Sequence, residues 1–361
     1  MPFKSIWPAM VLTHRRVHHR IGRSVRIMAL RIGSVELGSH LILAPMSGVT
    51  DRIFRRLIRH CNGADVGLYV TEFISVECLW RENKRSLFMM RKDVDESPFC
   101  VQLYGREVHH MVAAGRLAVD RGAQIVDINC GCPAPKVVRR GGGAALMKEP
   151  EHIARIVEAM VEALPVPITV KLRSGWDDES LTYLEAGQRA QEAGASAVAL
   201  HPRTRKALYK GEAHWTLVGE LAAALDVPVF GSGDVVDTES YQHLFQPSGA
   251  AGVMLGRGAI QNPFLFRELG RFGRGERSPP PSLQEKFQLL RVYYEGLRED
   301  YPERPKLHLG RVKNLVNRMT RDRPQVGDLR QRLLRSQTID ALLLLVAEMD
   351  ASEPVYLEAT G

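Results

Sequence analysis

From residue 41 onward, short apolar or β-branched runs alternate with amphipathic helical stretches, and this alternation constrains the fold more than any other feature of the chain. Repeated strand-then-helix units imply a parallel sheet, because each helix carries the chain back so that the next strand starts in the same direction. The strand candidates are Leu41 to Met46, Val66 to Phe73, Phe99 to Gly105, Ile125 to Cys130, Ile168 to Arg173, Ala197 to His201, Val227 to Phe230 and Gly252 to Leu255. Eight units over about 230 residues predict a closed α/β fold, a (β/α)8 TIM barrel, rather than an open doubly wound sheet. No Gly-x-Gly-x-x-Gly phosphate turn follows the first strand, which also counts against the open sheet.

The 361 residues exceed what a barrel needs, and the composition changes after Arg271. Gly273, Gly275, Pro279, Pro280 and Pro281 read as a linker. Beyond it, Leu289, Leu290, Val292, Tyr293 and Leu297 fit one amphipathic helix, Leu309, Val312, Leu315, Val316 and Met319 a second, and Ile339 to Met349 a third. The expected division is a basic N-terminal extension at 1–35, a barrel at 36–275 and a small C-terminal helical-bundle domain at 280–361.

The net charge of +8 sits at the two ends. Lys4, Arg15, Arg16, Arg20, Arg23, Arg26 and Arg31 precede the first acidic residue, Glu36, and Arg304 to Arg335 carries ten Lys or Arg against Asp322 and Asp328. A polyanion partner follows as an expectation, with a solvated charged face as the plain alternative. The leader is similar to an organellar transit peptide, and Met28 offers a second start. Cys61, Cys78, Cys100, Cys130 and Cys132 are an odd set without a secretory signal, so a reducing compartment, the cytoplasm, is expected. No apolar run approaches the roughly 20 residues of a membrane helix.

Barrel strands buried on both sides should be nearly all apolar, yet several here end in polar side chains. Gln102, Asp127 with Asn129, Lys171 with Arg173, and His201 with Arg203 all fall at carboxyl ends, where barrels of this kind place their chemistry. Residues two apart point the same way, so each pair can face one cavity. After the fourth strand, Asn129-Cys130-Gly131-Cys132-Pro133 forms a tight loop with two thiols; zinc lacks a second ligand pair, and no metal is expected. The last two strands run into Gly231-Ser232-Gly233-Asp234 and Gly256-Arg257-Gly258, loops suited to a phosphate. Pro45, Met46 and Ser47 after the first strand leave room for a planar ring, a combination that suits flavin mononucleotide (FMN).

The segments Ala44 to Asp51, Val101 to Gly105, Asp127 to Val137, Gly141 to Met147, Val170 to Asp177 and His201 to Arg205, with the two glycine loops, together resemble the tRNA-dihydrouridine synthase family over roughly Met28 to Met349. The resemblance implies NADPH-dependent reduction of uridine in tRNA on an FMN in the barrel mouth, with the helical domain clasping the RNA; a monomer is expected. It implies Cys132 as the acid that protonates the uracil ring. Pro45, Met46, Ser47, Gln102, Lys171 and His201 would lie on the flavin, and Ser232, Gly233, Asp234, Gly256 and Arg257 on its phosphate end. Asn129, Arg173, Arg203, Arg311, Lys313 and Arg318 would meet the RNA, with Arg139, Arg140 and Arg205 as further phosphate contacts. The chain departs from the family pattern at Pro202, where the family has Gly, and at Ser232, where it has Asn.

Saturating the C5–C6 bond of uracil takes a hydride at one carbon and a proton at the other. A thiol near its ordinary pKa of about 8.5 is mostly protonated at neutral pH and suits the second task. Three other readings stay open at this level: an FMN barrel acting on a free pyrimidine or enone, a flavin-free aldolase-type barrel using Lys171 as a Schiff-base nucleophile, and a non-catalytic RNA-binding barrel.

Overall fold

The computed structural model describes residues 30–276, 279, 281–320 and 327–352. The leader up to Arg26 and Arg321 in the second of the predicted C-terminal helices lie outside the described residues. The barrel is built from β1 (Leu41–Leu43), β2 (Leu68–Val70), β3 (Phe99–Tyr104), β4 (Ile125–Cys130), β5 (Ile168–Arg173), β6 (Ala197–His201), β7 (Val229–Ser232) and β8 (Gly252–Leu255). All pair in parallel, in the order β2-β1-β8-β7-β6-β5-β4-β3, and Tyr69 opposite Phe99 with Val70 opposite Cys100 closes the ring. The expected (β/α)8 barrel is therefore what forms.

The second strand is shorter than its apolar run, because the chain leaves the ladder at Thr71. The Thr71 hydroxyl accepts from the Gln102 N–H (3.1 Å), and a two-residue strand, Ile74–Ser75, rejoins β3 opposite Leu103 and Tyr104. The seventh strand runs past Phe230, since Gly231 and Ser232 pair with Val253 and Met254.

Alternation along each strand sorts side chains into two cores. Outward positions such as Leu41, Val101, Ile128, Val170 and Leu200 pack under the helices, and Cys130 is one of them, a packing thiol. Inward positions begin apolar at the amino end: Ile42, Leu68, Cys100, Ile125, Ala197 and Phe230 fill the floor. Across the expected boundary between extension and barrel, Arg31–Ile32 and Val35–Glu36 pair as a hairpin whose Ile32 packs into that floor. Further up, the inward positions in register are Gln102, Asp127 and Thr169, then Asn129, Lys171 and Ala199, then Arg173 and His201. The strands thus carry an apolar base and a polar mouth.

The C-terminal unit contains the helices Leu283–Asp300, Pro305–Thr320, Gly327–Arg335 and Ile339–Ser352. The third was not anticipated, because only Leu329, Leu333 and Leu334 carry its apolar stripe among four charged residues. Ser282 and Glu285 cap the first helix reciprocally, satisfying two otherwise orphaned N–H groups. This unit packs on the barrel helix Arg52–Asn62 and is tied there by ion pairs: Arg52 and Arg91 with Asp300, Arg56 with Glu299, and Arg311 with Asp51. Beneath them Arg55 and Glu96 form a fully buried pair.

Candidate active site

At the carboxyl end of the strands lies a cavity of about 580 Å³ lined from β1, β4, β5, β6, β7 and β8. Among the residues expected from sequence, Pro45, Met46, Ser47, Asn129, Cys132, Lys171, Arg173, His201, Ser232, Gly233, Asp234, Gly256 and Arg257 all line it. Gln102, Arg203, Arg311, Lys313 and Arg318 do not.

The β4 loop is held from within. Asn129 Oδ1 accepts from the N–H groups of Gly131 (3.2 Å) and Cys132 (2.8 Å), and Asn129 Nδ2 donates to Gln102 Oε1 (2.8 Å). Gln102, 0% exposed, donates from Nε2 to Asp127 (2.6 Å). Both ends of its amide are thus engaged behind the cavity wall, so it supports Asn129 rather than presenting itself to a ligand. Ala144 N–H donates to Cys132 O (3.0 Å), and Gly143 makes the turn at φ +58°, where a Cβ would stand 2.7 Å from the same oxygen. Cys132 itself is 9% exposed and packs with Tyr104 and Val137. Burial raises its thiol pKa above the ordinary value, and an Ala134 N–H and the Arg173 charge only partly offset this.

Lys171 projects from β5 into the cavity and makes no hydrogen bond or ion pair with another described residue. Burial, and then the neighbouring Arg173 charge, bring its pKa down to about 8, against an opposing pull from Asp127. His201 is held neutral, by burial first and then by Lys171, Arg173, Arg203 and Arg257. Arg203 donates to its Nε2 (3.2 Å), so the neutral ring carries its proton on Nδ1.

Arg173 and Arg203, expected on the RNA, are both buried and spend donors on loop carbonyls. Arg173 donates to the carbonyls of Gly131 (2.9 Å), Thr204 (2.8 Å) and Leu208 (2.7 Å). Arg203 holds the carbonyls of Lys210 and Gly211 and pairs with Asp234 (2.6 Å). Those bonds hang the segment from Arg203 to Gly211 over the cavity, with Tyr209, 56% exposed, at its tip between the Arg173 and Arg257 guanidinium groups. Tyr209 was missed at sequence level; a lone aromatic in a loop gives no period to read.

Asp234 is a hub rather than a free ligand: it also takes the Ala213 N–H (2.8 Å) and Arg257 (2.9 Å). Burial alone would raise its pKa, but the Arg203 and Ala213 hydrogen bonds hold it below the usual carboxylate range. Gly233 has φ +116°, and a Cβ there would meet the His201 ring at 3.1 Å, so the backbone comes close to the cavity only because this residue is glycine.

Arg311 is likewise engaged, with Asp51 and over the rings of Tyr293 and Tyr301, and Arg318 donates to Asn314 (3.2 Å). Arg205 lies over Trp176. Lys136, Arg139 and Arg140, which follow the Cys132 loop, are exposed and form no ion pair with another described residue. Among the described residues there is no cluster of three metal-ligating side chains, and no helix is long and apolar enough to cross a membrane.

Comparison with known proteins fits this geometry. The family model described as dihydrouridine synthase matches residues 42–336. The chain is 39% identical over 275 residues to tRNA-dihydrouridine synthase B of Pseudomonas putida, covering 76% of this chain and 80% of that one. It is 37% identical over 320 residues to tRNA-dihydrouridine synthase B of Xanthomonas axonopodis pv. citri, covering 88% and 95%. Among solved structures, histamine dehydrogenase from Rhizobium sp. 4-9 superposes with a TM-score of 0.53 at 15% identity, over 68% of this chain and 47% of that one, a likeness of fold.

Proposed function

The chain belongs to the dihydrouridine synthase family, and from that premise we propose that it reduces specific uridines in tRNA to 5,6-dihydrouridine as a monomer in the cytoplasm, with FMN as cofactor and NADPH as reductant. The observation that carries this reading is one cavity that brings a protonated thiol, Cys132, together with the Lys171 ammonium, which has no hydrogen-bond or ion-pair partner among the described residues, and the two glycine loops.

The residues present fit a flavin nucleotide. Lys171 is a half-buried cation with no acceptor among the described residues, Gly233 brings the backbone to the cavity wall where a Cβ would meet the His201 ring, and Arg257 is oriented over the mouth by Asp234. Pro45, Met46, Ser47, Lys171 and His201 would hold the ring system, and Ser232, Gly233, Gly256 and Arg257 the phosphate, with Asp234 fixing Arg257. The hydride for one carbon of the C5–C6 bond comes from the reduced cofactor, which is the chemistry it supplies when bound.

The remaining steps belong to the chain. Cys132, held protonated by burial, delivers the proton to C5 of uracil, and Arg173 favours the thiolate left behind. His201, neutral and with Nδ1–H free to donate, can bond a carbonyl without competing as an acid. The target base must leave its stack to enter the cavity, at a cost of a few kcal/mol that RNA contacts offset. Lys136, Arg139, Arg140 and Lys313 are the basic side chains placed for that task, which makes binding salt-dependent.

The depressed Lys171 pKa is the one observation that fits an aldolase-type barrel. Purified protein that is yellow and bleached by NADPH separates the two readings. The direct test is Cys132→Ala, expected to keep bound flavin and its reduction by NADPH while dihydrouridine formation on unmodified tRNA is lost. Product at the wild-type rate would remove Cys132 as the acid.

A further inference from the structure

Under the cavity floor runs a continuous chain of hydrogen bonds that ends on the Cys132 loop. Thr169 Oγ1 donates to Asp127 Oδ1 (2.5 Å) and Gln102 Nε2 to Asp127 Oδ2 (2.6 Å). Gln102 Oε1 then accepts from Asn129 Nδ2 (2.8 Å), and Asn129 Oδ1 accepts from the Gly131 and Cys132 N–H groups. All four side chains are buried, at 9% exposure or less.

The two ends of this series agree: the loop N–H groups can only donate, and an ionised carboxylate accepts at both oxygens. With Asp127 at one end, Gln102 must offer its NH2 there and its oxygen to Asn129. Asn129 must then offer its NH2 to Gln102 and its oxygen to the loop. A flipped Asn129 would set an NH2 against two N–H donors. A charged side chain inside a barrel, where apolar residues pack well, is costly, and Asp127 has no direct contact with the cavity to account for it. We propose that Asp127 is a positioning residue for Cys132: its carboxylate supplies the acceptor that the loop N–H groups, acting through Asn129 and Gln102, demand at the far end of the chain, and so holds the loop that presents the thiol. This rests on the reading of Cys132 as proton donor, but the loop geometry can be tested without turnover.

The test reverses the polarity of the chain. Asn129→Asp keeps an acceptor for the loop N–H groups but places a second acceptor against Gln102, so one end of Gln102 must face oxygen with oxygen. Asp127→Asn added to it supplies the missing donor: Gln102 turns over, donating to Asp at 129 and accepting from Asn at 127, whose oxygen still takes Thr169. Two quantities are measured on the flavin-loaded full chain: kcat and KM for dihydrouridine formation on unmodified tRNA, and the iodoacetamide labelling rate of Cys132 read by peptide mass.

Asn129→Asp alone is expected to lower kcat on the order of tenfold to a hundredfold, the scale of a misplaced catalytic group, with KM unchanged and the labelling rate altered. The double variant is expected to recover both to within about threefold of wild type. A single variant with wild-type kcat and labelling, or a double no better than the single, overturns the assignment. If Asn129→Asp does not fold, the folded yield of the double replaces kcat as the readout, and a double that also fails is equally a refutation. Should Cys132→Ala stay active, the functional reading falls, while the labelling rates still decide whether Asp127 sets the loop.

Discussion

Lys171→Met should stabilise the flavin-free protein while weakening its hold on flavin. The lysine ammonium faces the cavity, and burial followed by the Arg173 charge brings its pKa from an ordinary 10.5 to about 8. Between those values the unfolded chain binds more protons than the folded one, so stability rises with pH across that window, and below about 8 the whole cost of enclosing the charge is present. At roughly 1.4 kcal/mol per pH unit, that cost is about 3 kcal/mol at pH 7. Methionine keeps the reach of the side chain without the charge. Part of the gain is lost, because Asp127, itself buried and pushed up by burial, gives up its opposite charge when Lys171 is removed. The expected net gain at pH 7 is about 1–2 kcal/mol, a rise of about 1–3 °C in Tm for a chain of this size. Urea unfolding of the flavin-free proteins at pH 7 and pH 10.5 checks it, since the difference should shrink at the higher pH, where the wild-type lysine is also neutral in the fold. A variant less stable at pH 7, or a gain equal at both values, would refute the electrostatic account of this site.

The glycine cradle and the RNA face have tests of their own. Gly233→Ala forces a Cβ to 3.1 Å from the His201 ring at φ +116°, and flavin affinity by fluorescence titration should drop by about tenfold or more, with about 1–3 kcal/mol of strain; unchanged affinity would mean that the backbone there does not approach the ligand. Lys313→Ala should weaken tRNA binding and lower its salt slope by about 1 without changing thermal stability. Arg311→Ala, by contrast, leaves Asp51 without its partner across the barrel–helix junction and should cost about 1–3 kcal/mol of stability as well. Equal melting temperatures for the two variants would show that the Asp51 pair does not fasten the helical unit.

The barrel was legible because the period of the apolar runs carries it, and the site was legible where polar residues interrupted those runs. Asn129, Lys171, Arg173 and His201 violate the expectation for a buried strand, and all four reach the cavity. Gln102 breaks the same rule for a different reason: it sits one rung lower, where its amide completes Asp127 and Asn129. Height along a strand distinguishes a wall from its support, and an uncertain strand end blurs height by a rung. The hairpin at Arg31–Glu36 was hidden in a basic stretch because a floor plug needs only Ile32 and Leu37 to be apolar. The helix Gly327–Arg335 was hidden because its charge hides a short stripe.

Charge was the least legible property, and the reason is physical. An arginine's five donors serve equally well on phosphate and on backbone carbonyls, so composition cannot separate the two uses. Arg173 and Arg203 are consumed in suspending the loop that carries Tyr209, and Arg52, Arg56, Arg91 and Arg311 in fastening the helical unit to the barrel. Exposed near the mouth without an ion-pair partner among the described residues are Lys210, on the loop over the cavity, and Lys136, Arg139 and Arg140, on the segment that leaves the Cys132 loop. An RNA held there is held by the same stretch of chain that presents the acid, so phosphate contact and proton delivery share one rigid base. Arg139→Ala with Arg140→Ala should therefore raise KM for tRNA and, by loosening the register of the extruded base, lower kcat as well, whereas Lys313→Ala on the separate helical unit should act on KM alone.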